Sequence, residues 1–319
     1  DKYHSDKKDS PELNLGILTG VDSASFKKEE QYSHMMASAV ALARDLVNEP
    51  ANVMTPSALA DAAKEVCEKQ NIKCTILERE DCEALGMNAF LAVARGSKQA
   101  PKFIVMEYNG RVTDEEKIAL VGKGICFDAG GYNLKPSASM KGMHGDMGGA
   151  AAVIAAMGAI AQAKLGINVT AVIPACENMI SSKAMKPGDI IASMNGKYIE
   201  VVNTDAEGRM ALADAITYAI RECGATSIID VATLTGACEV ALGSRYTGVF
   251  SNSDDLIAKL VQASILAGEN IWRMPLGDDE YKDLNVSSVA DIANCGTQCG
   301  AIAAARFLNE FVERKPWIH

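Results

Sequence analysis

The stretch Asn203-Thr204-Asp205-Ala206-Glu207-Gly208-Arg209 sets two carboxylates and a guanidinium on alternate positions between two apolar runs. The run before it, Lys197-Tyr198-Ile199-Glu200-Val201-Val202, reads as a strand, and Met210 through Ile216 reads as a helix. Side chains two apart on an extended segment face the same way, so Asp205, Glu207 and Arg209 are expected on one side. Two acids held together repel unless a cation lies between them or one takes a proton. The carboxyl end of a strand is also where open α/β sheets hold their ligands. The segment therefore predicts a metal site.

A second cluster lies upstream, between residues 118 and 146. An apolar run ends in Gly122-Lys123-Gly124, then Asp128, Lys135 and His144-Gly145-Asp146 follow. The GxxxxGK[ST] pattern of a phosphate loop is absent. Alone, Lys123 reads as a surface lysine in a flexible loop. It gains meaning only beside Asp128, Lys135, Asp146 and the later acidic segment. Asp128, Asp146, Asp205 and Glu207 at neighbouring strand ends call for roughly two divalent cations, and bridging carboxylates would hold these ~3.5–4 Å apart. His4, His34, His144 and His319 are the only histidines, which excludes a histidine-rich zinc site. Oxygen ligands suit zinc, manganese, cobalt or magnesium. A lysine can join such a site only as the neutral amine, at a cost of roughly 5 kcal/mol, which an adjacent dication can supply.

The rest of the chain frames these clusters. Helical spacing marks residues 32–48, 56–69, 147–164, 209–222, 254–268 and 300–313. Strands are expected at 74–77, 103–106, 118–121, 168–174, 198–203 and 227–233. Strands alternating with helices predict an α/β fold whose mixed, largely parallel sheet carries helices on both faces. Residues 1–30, including Lys7-Lys8-Asp9-Ser10-Pro11, read as a charged lead-in, and residues 31–319 as one catalytic domain. With 319 residues, 48% of them hydrophobic, the chain can bury a substantial core. A net charge of −10 argues against a nucleic-acid surface built on a positive field. No apolar run is long enough to span a membrane. Nine scattered cysteines without a CxxC pair suggest free thiols in a reducing, cytoplasmic setting.

Taken together, the segments VGKGICFDAGGYNLKP (121–136), DMGGAAAV (146–153), ACENM (175–179), NTDAEGRMALADA (203–215) and DVATLTGAC (230–238) resemble the leucine aminopeptidase (cytosol aminopeptidase) family of two-metal exopeptidases. The resemblance runs from about residue 44 to the last residues. It implies that Lys123, Asp128, Asp146 and Glu207 hold one metal and that Asp128, Asp205 and Glu207 hold a more exchangeable one. Asp128 and Glu207 would bridge the two. It also implies Lys135 as an electrophile and Arg209 as the anchor of a bicarbonate that serves as base. Met143, Thr233, Leu234 and Gly236 match positions around the pocket for the first side chain. The implied reaction removes an N-terminal leucine or similar apolar residue from peptides with a free amino terminus, through a hydroxide shared by the metals. The implied assembly is a homo-hexamer.

The sequence departs from the family pattern in three places. The family carries a separate N-terminal α/β domain, where this sequence has a short charged lead-in. It also carries a further strand and helix after the segment matching Trp317-Ile318-His319, so truncation or unrecorded residues are the expectation on both counts. FDAGG replaces the commoner FDSGG, which leaves Ala129 without a hydroxyl near the metals. Two other functions compete with this one: a DNA-binding or scaffold role with a vestigial site, and another metal-dependent dipeptidase. The intact ligand set and the acidic charge oppose the first. A requirement for a free α-amine would separate the second.

Overall fold

Apolar side chains occupy both faces of the long strands, so the sheet must be covered on both sides. In the computed structural model, residues 1, 7–11, 15, 17–19, 21, 112, 114–115, 278–282 and 297 lie outside the described residues, and with them the charged run at 7–11. The chain opens with α1 (Ser23–Asn48), α2 (Pro56–Gln70), β1 (Lys73–Leu77), α3 (Arg79–Ala84), α4 (Asn88–Ala94) and β2 (Lys102–Asn109). Next come β3 (Lys117–Gly122), β4 (Gly124–Asp128), α5 (Ser137–Met140), a 3-10 turn at Met143–Gly145, α6 (Gly148–Gln162) and β5 (Asn168–Asn178). The middle holds β6 (Ile190–Ala192), β7 (Tyr198–Glu200), α7 (Gly208–Arg221), β8 (Ser227–Val231), α8 (Gly236–Leu242) and β9 (Thr247–Val249). The last elements are α9 (Asp254–Ala267), β10 (Ile271–Arg273), β11 (Ile292–Ala293), α10 (Gly300–Asn309) and β12 (Trp317–Ile318).

The main sheet has the order β1-β2-β5-β3-β8-β12, and β4 also pairs with β5. β1 and β2 form an antiparallel edge, while β5, β3, β8, β12 and β4 run parallel. This is the expected mixed, largely parallel sheet. Alternation divides the core. Phe103, Val105, Ala119, Val121 and Val172 pack with α4, α7 and α10. Ile104, Met106, Ala171 and Ile173 pack on the other face with α1, α2 and α6.

Two helix starts show how local chemistry sets the boundaries. The Thr55 hydroxyl accepts from Ala58 N at 3.3 Å and Pro56 takes the first helical position, as the sequence predicts. By contrast, α1 begins at Ser23 rather than near Tyr32. The Asp22 carboxylate accepts from Ala24 N and Ser25 N, both at 3.0 Å, and starts the helix inside a stretch whose polar composition reads as lead-in.

The expected strand over 198–203 is a correction. β7 covers only Tyr198–Glu200 and belongs to a small three-stranded sheet with β6 and β11. The acidic segment therefore does not hang from a main-sheet strand. The Gly-rich stretch after residue 121, read as a loop, contains β4.

β4 exists because β5 is long. Its first half, Asn168 to Val172, pairs with β3, and its second half, Ala175 to Asn178, pairs with β4. Lys123 sits at the break between β3 and β4. Its N–H donates to Val231 O at 3.0 Å on β8, and its carbonyl accepts from Ala150 N at 2.9 Å in the first turn of α6. This junction is tight, because a Cβ on Gly149 would stand 1.9 Å from Val231 O.

Gly149→Ala should therefore destabilise the fold by about 2–3 kcal/mol, as overpacking against backbone does. A lowered urea midpoint with an unchanged m-value would show it. Asp214, buried on α7, gives a second test. It accepts from Phe90 N at 2.9 Å and Met194 N at 2.8 Å, tying α7 to α4 and to the β6–β7 turn. Burial pushes its pKa from 3.8 up to about 7 against the pull of those amides. The folded carboxyl keeps its proton to higher pH than the unfolded one, so the stability it contributes is full below about pH 4 and lost as pH rises to 7. Denaturation of the metal-free protein should show the advantage over Asp214→Asn shrinking across that window, by up to about 4 kcal/mol. A constant difference would contradict the assignment.

Candidate active site

Asp128, Asp146 and Glu207, all buried, each present one oxygen within 4.8 Å of the other two. The three come from separate places: the end of β4, the turn before α6, and the residue that caps α7. Lys123 reaches into the group. Its Nζ lies 2.8 Å from Asp146 Oδ2, 2.9 Å from Asp146 Oδ1 and 3.0 Å from Glu207 Oε1, and it donates to Thr233 O at 3.2 Å. At 3% exposure it is not a surface lysine. A Cβ on Gly208 would stand 2.4 Å from Lys123 Cε, so only glycine at the first position of α7 lets this side chain pass.

Lys135 bridges a second pair, with Nζ 2.8 Å from Asp128 Oδ2 and 2.6 Å from Asp205 Oδ1. Asp205 thus stands beside Lys135, outside the three-carboxylate cluster, with its side chain 31% exposed. The acidic segment is also not extended as expected. Residues 204–205 form a turn, and Glu207 takes helical angles, φ −80° and ψ −38°. Asp205, Glu207 and Arg209 converge by turning into α7, not by alternation along a strand.

Arg209 is correspondingly absent from the cavity wall. It is buried in the first turn of α7, its Nη1 donates to Asn294 O at 2.9 Å, and its Nε has no partner. Burial lowers its pKa, against the opposing pull of Cys295 and Glu207.

Several residues that the motifs did not flag hold these groups in place. The Asn178 amide donates to Asp128 Oδ1 at 2.8 Å and to Thr204 O at 3.0 Å, and Gly130 N supplies Asp128 Oδ1 with a second bond at 2.9 Å. Asp128 thus has its donors although Ala129 has no hydroxyl. Thr204 and Asn133 exchange bonds, with Asn133 N to Thr204 Oγ1 at 2.8 Å and Thr204 N to Asn133 Oδ1 at 2.9 Å. Asn294 accepts from Val202 N and donates to Asn203 O and Ala206 O. Asn178 lies in the quoted ACENM text, a usable signal, whereas nothing in the sequence marks Asn294.

The chain's own charges at the site are unbalanced, with four carboxylates against two ammonium groups. Burial raises the pKa of Glu207 to about 8, with Lys123 pulling it down and Asp128 and Asp146 pushing it up. Asp146 and Asp205 shift upward, chiefly through burial. Burial works against the charge on Lys123 and Lys135, yet their carboxylate partners prevail and both shift upward. Asp146 Oδ2 and Asp205 Oδ1 lie close to lysine nitrogens but off their hydrogen-bonding directions, so both buried oxygens remain unfilled as acceptors. Clustered oxygens, raised acid pKa values and unfilled lone pairs fit a divalent-cation site.

The cluster lines a cavity of about 850 Å³. Met143, Thr233, Leu234 and Gly236 all line it. The Thr233 hydroxyl is committed to Asp146 Oδ1 at 2.7 Å, so its polar end faces a carboxylate. Among the described residues no helix is long and apolar enough to cross a membrane, and all nine cysteines are free.

Comparison with known proteins agrees with this geometry. Residues 41–319 match the cytosol aminopeptidase family, catalytic domain. A protein of Alkaliphilus oremlandii described as "Probable cytosol aminopeptidase" is 50% identical, the match covering 100% of this chain and 64% of that protein. Similar proteins of the same description occur in Clostridium tetani, at 49% identity over 100% of the chain and 67% of the relative, and in Treponema denticola, at 48% over 100% and 68%. The chain thus spans about two thirds of the length of these relatives. With four acids and two lysines gathered at one cavity and nearly the whole sequence matched, the chain belongs to the cytosol aminopeptidase family, whose catalytic domain it carries.

Proposed function

We propose that this protein is a metal-dependent aminopeptidase that releases an N-terminal residue, leucine or a similar apolar one preferred, from peptides with a free amine. The observation that carries this reading is the buried cluster of Asp128, Asp146 and Glu207 lining a peptide-sized cavity. Lys123, Asp128, Asp146 and Glu207 would hold one divalent ion, and Asp128, Asp205 and Glu207 a second. The unequal exposure of Asp205 and Glu207 supports one site being the more exchangeable. Bound zinc, manganese, cobalt or magnesium ions supply Lewis acidity and make a water a nucleophile at neutral pH.

The two lysines have opposite tasks. Lys123 must lose its proton to serve as a ligand, while Lys135, held charged between Asp128 and Asp205, can meet negative charge that develops on the scissile carbonyl oxygen. Arg209, buried and with a free Nε, suits a bidentate anion such as bicarbonate. The apolar side chains of Met143 and Leu234 on the cavity wall favour an apolar first residue. The same reading includes a cytoplasmic homo-hexamer, as the family resemblance implies.

Leucyl amide hydrolysis with added manganese or zinc tests the reading. Chelation should abolish turnover, and Asp205→Ala should cut kcat/KM by about 100-fold or more, the scale on which removing support for a metal acts. Full activity in Asp205→Ala, or equal cleavage of N-acetyl-leucyl amide, would sink it. Metal loading provides a second test. Because Lys123 and Glu207 hold protons in the metal-free site, titration of metal into the protein at pH 7 should release protons. Calorimetry in buffers of differing ionisation enthalpy would detect them, and an absence of release would contradict the assigned role of Lys123.

A further inference from the structure

Lys135 stands on a segment with no regular structure of its own. Residues 129–136, between β4 and α5, form neither helix nor strand, and Tyr132 and Leu134 are exposed. A loop with so little apolar burial depends on its polar links for a fixed shape. At its start, Ala129 N donates to Asn178 O and Gly130 N to Asp128 Oδ1, both at 2.9 Å. Tyr132 donates through its hydroxyl to Ser181 O at 3.0 Å, and Lys135 N donates back to Ala129 O at 3.0 Å.

The links in between converge on one side chain. Thr204 is 0% exposed, and its hydroxyl is used in both directions. It donates to Gly130 O at 2.6 Å and accepts from Asn133 N at 2.8 Å. Asn133 Oδ1 lies 3.1 Å from the same hydroxyl but already accepts from Thr204 N at 2.9 Å, so the nearer Gly130 O takes the hydroxyl proton. A Cβ on Gly131 would stand 2.9 Å from Thr204 Oγ1, and Gly131 has φ +65°, so glycine there admits the hydroxyl.

Thr204 also adjoins Asp205, whose Oδ1 lies 2.6 Å from Lys135 Nζ. One residue therefore ties the loop that bears the lysine to the turn that bears its carboxylate partner. The Thr204 carbonyl is held in turn by the Asn178 amide at 3.0 Å, and the same amide donates to Asp128, the other partner of Lys135. We infer that Thr204 is a positioning residue for peptide hydrolysis that acts through Lys135. Its hydroxyl fixes the loop, so that the ammonium stays where negative charge develops on the scissile carbonyl oxygen.

This inference rests on the peptidase reading of the site, and the test separates the two. Thr204→Val keeps the shape and removes the hydroxyl, whereas Thr204→Ser keeps the hydroxyl. On leucyl amide, Thr204→Val should lower kcat by about tenfold or more, the scale on which a displaced catalytic group acts, with KM changed less than about twofold. Thr204→Ser should recover most of the loss. In a Lys135→Met background, adding Thr204→Val should cost less than about twofold, because the group it positions is gone. An undiminished cost there, whether through the fold or through Asp205, overturns the inference. Hydrogen-exchange mass spectrometry of the metal-free protein reads the loop without turnover. Thr204→Val should speed exchange over residues 129–136 by about tenfold, the effect of losing one to two hydrogen bonds, while β5 and α7 keep their wild-type rates. Unchanged exchange over 129–136, or equal acceleration throughout, overturns it. Should Thr204→Val fail to fold, Asn133→Ala changes an exposed residue and removes the bond to Thr204 N. It should lower kcat by about threefold and speed the same segment, and wild-type behaviour in both overturns the inference. If the wild-type protein does not hydrolyse leucyl amide, the peptidase reading fails, and exchange over 129–136 still decides whether Thr204 holds the Lys135 loop.

Discussion

The excess of negative charge on the cavity wall is the constraint on which the rest of the site depends. Carboxylates brought out of water in close company are strongly disfavoured unless cations or protons join them. The protein meets this with structure built for close approach. A long β5 serves two partner strands in succession, the break between them delivers Lys123, and a glycine at the start of α7 lets that lysine through. Asp128 receives two fixed donors, from Gly130 and Asn178, which orient one of its oxygens and leave the other toward Lys135.

The same residue type takes two different characters within this small volume. Lys123 is almost wholly enclosed, pressed between Asp146 and Glu207, where a change in local charge can remove its proton. Lys135 keeps more contact with solvent and spans a second pair, Asp128 and Asp205, which hold it as a cation. On the proposed reading, burial separates the two roles, because both ammonium groups start from the same intrinsic basicity.

Much of this could be read from residue order. The alternation of apolar residues in the strands, the Thr55-Pro56 helix start and the co-occurrence of the acids with two lysines all carry their physical meaning locally. The errors have a common origin in that they concern where the chain turns. Asp205 and Glu207 looked like neighbours on a strand because their spacing fits one, yet the chain bends into a helix after Ala206. The helix at Asn88–Ala94 and the strand at Gly124–Asp128 lay within stretches rich in Gly, Ala and polar residues, where tertiary pairing outweighs local preference. The supporting residues were the least visible. Asn294 acts on a segment 91 positions earlier, and a lone asparagine carries no sign of such a partner.

That asparagine also bears on how the protein is made. Lys123, Asp128, Lys135, Asp146, Asp205 and Glu207 have all been added to the chain once Glu207 is synthesised. The turn that carries Asp205 and Glu207 is nevertheless held by hydrogen bonds with Asn294, whose Oδ1 accepts from Val202 N and whose Nδ2 donates to Asn203 O and Ala206 O. A nascent chain therefore possesses the reactive groups long before it can arrange them. The arrangement is completed late in synthesis, when Ile292–Ala293 pairs beside Ile199–Glu200.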